Sequence, residues 1–247
     1  MKRPQWSPRE VAAQAGALYK SKADPAKAAQ AQKYFKDRVK LFGLSSSDAR
    51  AIAADLYKEI KGRWTAAEAV EFCDLVFPRP ELEFKGLGAL MLIRFKKSYP
   101  KSLFVRIKGW LAADYLDNWA SVDVLCPDAV GALLVAYPEL VRDIKAWAVH
   151  PNLWVRRASL VSFIKLAKRP EFRAAAYEMA RAHFNSRDDL IHKAAGWLLR
   201  ETGKRDMAAL EAFLLEHGPR IPRTTLRYAI ERFPPDKRRA LLLKTKK

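Results

Sequence analysis

The chain reads as an all-α protein built from many short helices, and three observations predict this. Apolar residues recur at helical spacing along nearly the whole length, with no alternating run long enough to make a sheet. Only 10 glycines interrupt the 247 residues. The prolines at 25, 78, 80, 100, 127, 138, 151, 170, 219 and 222 cut the remainder into segments of roughly 10 to 20 residues, an ordinary helix length.

The elements are punctuated in order. Ser7-Pro8-Arg9-Glu10 has the form of a capping box with proline at the first helical position, and Thr65-Ala66-Ala67-Glu68 repeats the box. Gly43 after Lys40-Leu41-Phe42, and later Gly203 and Gly218, fit left-handed helix terminators. No strict sequence repeat is visible, but helical segments pair at intervals of roughly 35 to 45 residues, the range of HEAT-like and armadillo-like repeats. Trp147 and Trp154 with Leu160, Phe163 and Leu166 form one expected seam; Ile191, Ala195 and Leu198 with Leu210, Phe213 and Leu214 form the next. Stacked pairs make a helical-repeat solenoid whose concave side can hold a rod-shaped ligand. There is no Ser/Gly-rich linker, so residues 1–247 read as one domain, within which a three-helix N-terminal part can be set apart to about residue 61.

Composition narrows the function classes. Half of the residues are apolar, enough for a sizeable core without disulfides or metals. The 46 Lys and Arg against 27 Asp and Glu leave a formal charge of +19, which favours a polyanionic partner, nucleic acid first, on a concave basic face, and disfavours self-association, so a monomer is expected. No stretch of about 18 consecutive apolar residues suggests a membrane span. The N-terminal Met1-Lys2-Arg3-Pro4-Gln5-Trp6-Ser7-Pro8 is followed by no apolar secretory core, and a cytoplasmic location is expected, nucleoid-associated if the chain is bacterial. Cys73 and Cys126 lie among apolar neighbours and read as buried reduced thiols. His150, His183, His192 and His217 have no close ligand spacing. No metal and no cofactor is expected.

Three segments carry the residues that can do chemistry. In Trp119-Ala120-Ser121-Val122-Asp123 an indole and a carboxylate stand four residues apart, on one face of a helix whose Val122 and Val124 would face the core. From spacing alone, the reading favoured is that Asp123 caps a short helix before Cys126-Pro127, with Trp119 in the core. Arg157 follows Trp154 by three residues, and Lys193 and Arg200 flank Trp197 at i−4 and i+3, so cations lie beside aromatic faces as a phosphate-lined groove requires. The same residues are also what solvated charged faces with snorkelling stems look like. Gly196, beside Trp197, costs a helix about 1 kcal/mol and invites close approach by another helix or by nucleic acid.

These segments, in this order and at about this spacing, resemble the AlkD family of alkylpurine DNA glycosylases. The likeness extends from Tyr34-Phe35-Lys36 and Leu41-Phe42-Gly43-Leu44 to Lys193 through Glu201. The resemblance implies that Trp119, Asp123 and Trp197 take the catalytic positions, two indoles cradling the deoxyribose and the carboxylate facing its anomeric carbon. It implies phosphate contacts from Arg157 and more weakly Arg200, with Tyr34 near the DNA; Trp154 and Lys193 join this DNA-binding set through their neighbours. The partner implied is duplex DNA containing cationic N3- or N7-alkylpurines, released in base excision repair without enclosing the base. Where the family has a phenylalanine shortly before the glycine-tryptophan pair, this chain has Asp188-Asp189-Leu190-Ile191. The alternative is a helical-repeat solenoid that binds unusual or damaged DNA without catalysis, and more weakly a protein-binding scaffold.

Overall fold

The computed structural model describes residues 6–246; Met1 to Gln5 of the N-terminal stretch and Lys247 of the basic tail lie outside the described residues. Among those described there are fifteen α-helices, four short 3-10 turns and no strand, only an isolated parallel bridge between Lys40 and Glu81. The chain divides into two compact units, Met1–Leu125 and Cys126–Lys247.

The first unit contains α1 (Pro8–Ser21), α2 (Pro25–Gln32), α3 (Ser46–Ile60), α4 (Ala66–Val76), α5 (Leu82–Ile93), α6 (Leu103–Ala112) and α7 (Trp119–Leu125). Both expected capping boxes form: Ser7 and Thr65 accept backbone N–H groups of the first turn, and Glu10 and Glu68 reach back to the cap amides. Helix α5 is apolar on nearly every side and serves as the hub, packing on α3, α4 and α7. Phe84, Leu87, Met91 and Leu92 are at most 1% exposed, each contributing about 1.5–3 kcal/mol of burial.

The second unit contains α8 (Ala129–Ala136), α9 (Leu140–Lys145), α10 (Leu153–Val161), α11 (Pro170–Ala182), α12 (Asp189–Gly203), α13 (Met207–His217), α14 (Arg223–Ala229) and α15 (Pro235–Lys244). Its hub is α12, which packs on α10, α11, α13 and α14 through a stripe of Ile191, Ala194, Ala195, Leu198 and Leu199. The residues of both expected seams are buried except Trp154 and Phe213, which are half-buried, Phe213 in ring contact with Tyr177, Phe184 and His217. Cys73 and Cys126 are buried and not disulfide-bonded.

The glycines are used differently from the expectation. Gly43 does take a left-handed φ of 84°, but it sits in an extended segment after a turn, because its amide and that of Leu44 are drawn to the Glu83 carboxylate while the Asp24 carbonyl lies where a Cβ would be. The left-handed helix terminator is Gly62 (φ 77°), just past α3. Gly203 is still helical, and its missing side chain makes room for Leu210; Gly218 does cap α13, but at φ 12° outside the left-handed region. The stretch Trp119–Ala136 is long and apolar enough by composition to span a membrane, with a mean hydropathy of 1.5. It is broken by a turn at 126–128 and is 56% buried within the protein, as core segments are.

Candidate DNA-repair site

Helix α7 is set in place by the residues just before it. Helix α6 ends with Asp114 in the left-handed region (φ 57°), the Tyr115 amide bonding back to the Trp110 carbonyl at 3.0 Å in a Schellman-type stop. The chain then passes over Lys85 of α5. This lysine is 4% exposed, and its Nζ donates to the carbonyls of Tyr115 (2.5 Å) and Phe77 (3.4 Å) and pairs with Asp117 (3.1 Å). A buried ammonium is tolerated because all of its donors point at oxygens. Asn118 opens α7: its side-chain oxygen accepts the Ala120 amide at 2.9 Å, and its carbonyl accepts the Ser121 hydroxyl at 2.8 Å. Asn118, then, is the cap, and Asp123 stands one turn inside the helix on the face of Trp119. Both are half-buried. Val122 faces the core as expected, whereas Val124 is 40% exposed, because a seven-residue helix packed on one side cannot bury both i and i+2.

Trp119 has an aromatic neighbour that its own segment does not announce. The Phe35 ring lies 5.5 Å from the Trp119 ring, tilted by 31°. The loop carrying it is tied by one side chain: Gln32 donates to the carbonyls of Asp37 (2.9 Å) and Phe35 (3.4 Å) and accepts the Val39 amide (3.0 Å). Tyr34, next to Phe35, is 78% exposed, in a run where Lys33, Lys36 and Arg38 are exposed too.

In the second unit, α10 and α12 carry the other residues. Asn152 caps α10 through the amides of Trp154 (2.8 Å) and Val155 (3.2 Å), leaving Trp154 half-buried. Arg157 is only 5% exposed, and its guanidinium donates to the Leu190 carbonyl at 2.5 Å in the first turn of α12. Its neighbour Arg156 makes a parallel tie to the Asp188 carboxylate (2.7 Å) and to the carbonyls of His150 and Pro151. Lys193 pairs with Asp189 one turn earlier (2.8 Å); the Asp189 hydrogen bond raises the Lys193 pKa, and the same bond lowers that of Asp189. Thus Asp188 and Asp189 each hold a cation. Arg200 is ion-paired with Glu231.

Gly196 is explained by a helix. A Cβ there would lie 2.4 Å from the Tyr228 Cβ and 2.6 Å from the Thr225 carbonyl oxygen, so its absence lets α14 approach the α12 backbone. The contact is sealed by the Thr225 hydroxyl donating to the His192 carbonyl at 3.0 Å. It leaves Trp197 half-buried, one residue past the crossing.

Within the first unit, then, Trp119 and Asp123 share one helix, and Tyr34 adjoins the Phe35 that touches Trp119. Within the second, Lys193, Trp197 and Arg200 share α12, which Arg157 of α10 joins through Leu190. Phe35, Gln32, Lys85, Asn118 and Arg156 were not singled out from sequence. Asn118, directly before the first helical residue, carried a capping signal; Lys85 stood out only as a cation inside the apolar run 82–93. Among the described residues no group of three or more His, Cys, Asp or Glu is placed to hold a metal ion.

Short helices packed consecutively on apolar hubs define the helical-repeat class of fold, and here half-buried indoles stand near a carboxylate in one unit and near cations in the other. The family model for the DNA alkylation repair enzyme matches residues 17–233. The chain therefore belongs to the DNA alkylation repair enzymes, the AlkD-like family. A solved structure described as a predicted DNA alkylation repair enzyme from Enterococcus faecalis superposes with a TM-score of 0.75 at 18% identity, covering 86% of this chain and 97% of that one. That likeness establishes the fold. No curated protein matches the sequence.

Proposed function

We propose that the protein is a monofunctional DNA glycosylase that hydrolyses the N-glycosidic bond of positively charged N3- and N7-alkylpurines in duplex DNA. The observation that carries the reading is α7 itself, which presents a half-buried indole and a carboxylate one turn apart in a chain of the alkylation-repair family. An alkylated purine is already cationic, so its C1′–N bond breaks with the electron pair leaving on a neutral base. No general acid is needed for the leaving group. Positive charge passes to the sugar, where the Asp123 carboxylate would stabilise it and orient or deprotonate the water that bonds to C1′. The faces of Trp119 and Trp197 would add cation–π attraction to the same charge. Arg157, Arg200, Lys193, Trp154 and Tyr34 are proposed to serve the duplex backbone.

A lyase would need an amine nucleophile with a depressed pKa. Lys193 has the opposite shift, and Lys85 is occupied by two carbonyls and Asp117, which supports hydrolysis to an abasic site and no further. The test is release of free base from a duplex carrying a single 7-methylguanine, wild type beside Asp123→Asn. Release that disappears in the variant while duplex affinity stays within a few fold supports the proposal. An active variant removes Asp123 from the mechanism. No release from a wild type that binds duplex tightly would favour a non-catalytic DNA binder.

A further inference from the structure

The last two helices of the second unit form a cleft that the proposed reaction does not use. It encloses about 410 Å³ and is lined by Arg227 and Ile230 at the end of α14 and by Pro235, Arg238, Arg239 and Leu242 of α15. Three arginines and three aliphatic residues thus share the lining, with Pro235 and Leu242 open to solvent and Ile230 buried behind them. From Arg220 to Lys247 the only acidic residues are Glu231 and Asp236, and both are engaged: Glu231 by Arg200 and Asp236 by Arg239. Arg227 and Arg238 have no ion-pair partner among the described residues. Arg227 is exposed and Arg238 half-buried.

We infer that this cleft is a docking site for an acidic peptide segment bearing a bulky apolar side chain, carried by a partner protein. Two features select that ligand together. Guanidinium forks match carboxylates in bidentate geometry, and the lining contains arginine with no lysine. The open aliphatic surface of Pro235 and Leu242, over the buried Ile230, calls for a side chain that leaves water on binding, which a duplex phosphate backbone does not supply. The apolar residue covers this surface while its acidic neighbours meet Arg227 and Arg238. The inference stands independently of the glycosylase reading, since none of the six residues belongs to the proposed catalytic set.

The test is fluorescence anisotropy with fluorescein-labelled Asp-Glu-Asp-Leu-Glu-Phe bearing a C-terminal amide, at about 0.15 M salt to suppress exposed electrostatics. A second peptide replaces Leu and Phe by Ser at the same charge. Saturable binding of the first peptide, at least about tenfold tighter than the second and weakened about tenfold by Arg227→Gln with Arg238→Gln, is the expected result. The paired variant should keep the wild-type melting temperature and base-release rate, since both side chains lie outside the core. Leu242→Ser provides an independent test of the aliphatic surface and should discriminate against the Phe peptide alone. No saturable binding, or equal binding of both peptides, overturns the inference. A paired variant that weakens duplex binding by the same factor as peptide binding also overturns it, and makes the cleft a phosphate footing.

Discussion

Arg157 shows how far a residue's surroundings can revise its chemistry. Its spacing from Trp154 suggests a surface cation, yet it is 5% exposed with a 2.5 Å bond to the Leu190 carbonyl. Removing a charged donor from a buried acceptor costs about 1–3 kcal/mol. Arg157→Ala should therefore lower the melting temperature by several degrees, at roughly 2–4 °C per kcal/mol for a chain of this size, as well as weaken DNA binding. Unchanged melting would return Arg157 to the surface role. His183 allows a second prediction. It is 3% exposed, its Nε2 lies 2.9 Å from the Ser159 hydroxyl, and burial, helped by the Arg156 charge, lowers its pKa to about 4. The unfolded chain takes up this proton near pH 6.5 but the folded one only near 4, so stability is full above 6.5 and falls as pH drops between those values. The loss attributable to His183 approaches about 3 kcal/mol. Urea unfolding of His183→Gln should accordingly show a shallower decline from pH 7 to 4.5 than wild type, and parallel curves would refute the assignment.

At the scale of elements, the sharpest prediction concerns the α12–α14 crossing. Gly196→Ala gains about 1 kcal/mol of helix propensity, but the new methyl group meets the Thr225 carbonyl and the Tyr228 Cβ well inside contact distance. Overpacking of about 1–3 kcal/mol should outweigh the gain, and the shift of α12 should also slow base release through Trp197. Denaturant unfolding that found the variant more stable would mean the crossing relaxes freely. The same elements show what could be read from sequence. Capping boxes at Ser7 and Thr65 are local, fixed by a three-residue period, and form as read, and the four-residue step from Trp119 to Asp123 lies within one helix. The use of Gly43 depends on Glu83, 40 residues away, and the ring contact of Phe35 on Trp119, 84 residues further on, so no local period shows either. Nor could spacing tell whether Gly196 faces a helix or a nucleic acid; only the position of Thr225 decides it. Lys85 belongs with these, since its use depends on where the 114–118 turn crosses α5.

For the whole molecule, the charge of +19 makes salt the first variable to control. A protein that neutralises six to ten phosphates loses about 10³–10⁵ in duplex affinity between 50 and 200 mM salt. Several cations here are already committed to carboxylates, among them Lys193, Arg156 and Arg200. The slope should therefore report fewer contacts than the charge suggests, and Asp189→Asn, which frees Lys193, should steepen it by about one. An unaltered slope would place Lys193 away from the duplex.

The tryptophans divide in a way that provides an intrinsic optical probe. Trp64, Trp110 and Trp147 are sealed in the core at 7%, 2% and 2% exposure, while Trp6, Trp119, Trp154 and Trp197 are reachable from solvent. Iodide should therefore extinguish one emitting population and spare another, giving a downward-curving Stern–Volmer plot in the unlabelled protein. Three of the four reachable indoles are the residues proposed to face DNA, so adding duplex should straighten that plot by shielding them. The light emitted by the protein would then report occupancy directly, with the buried indoles as the internal reference.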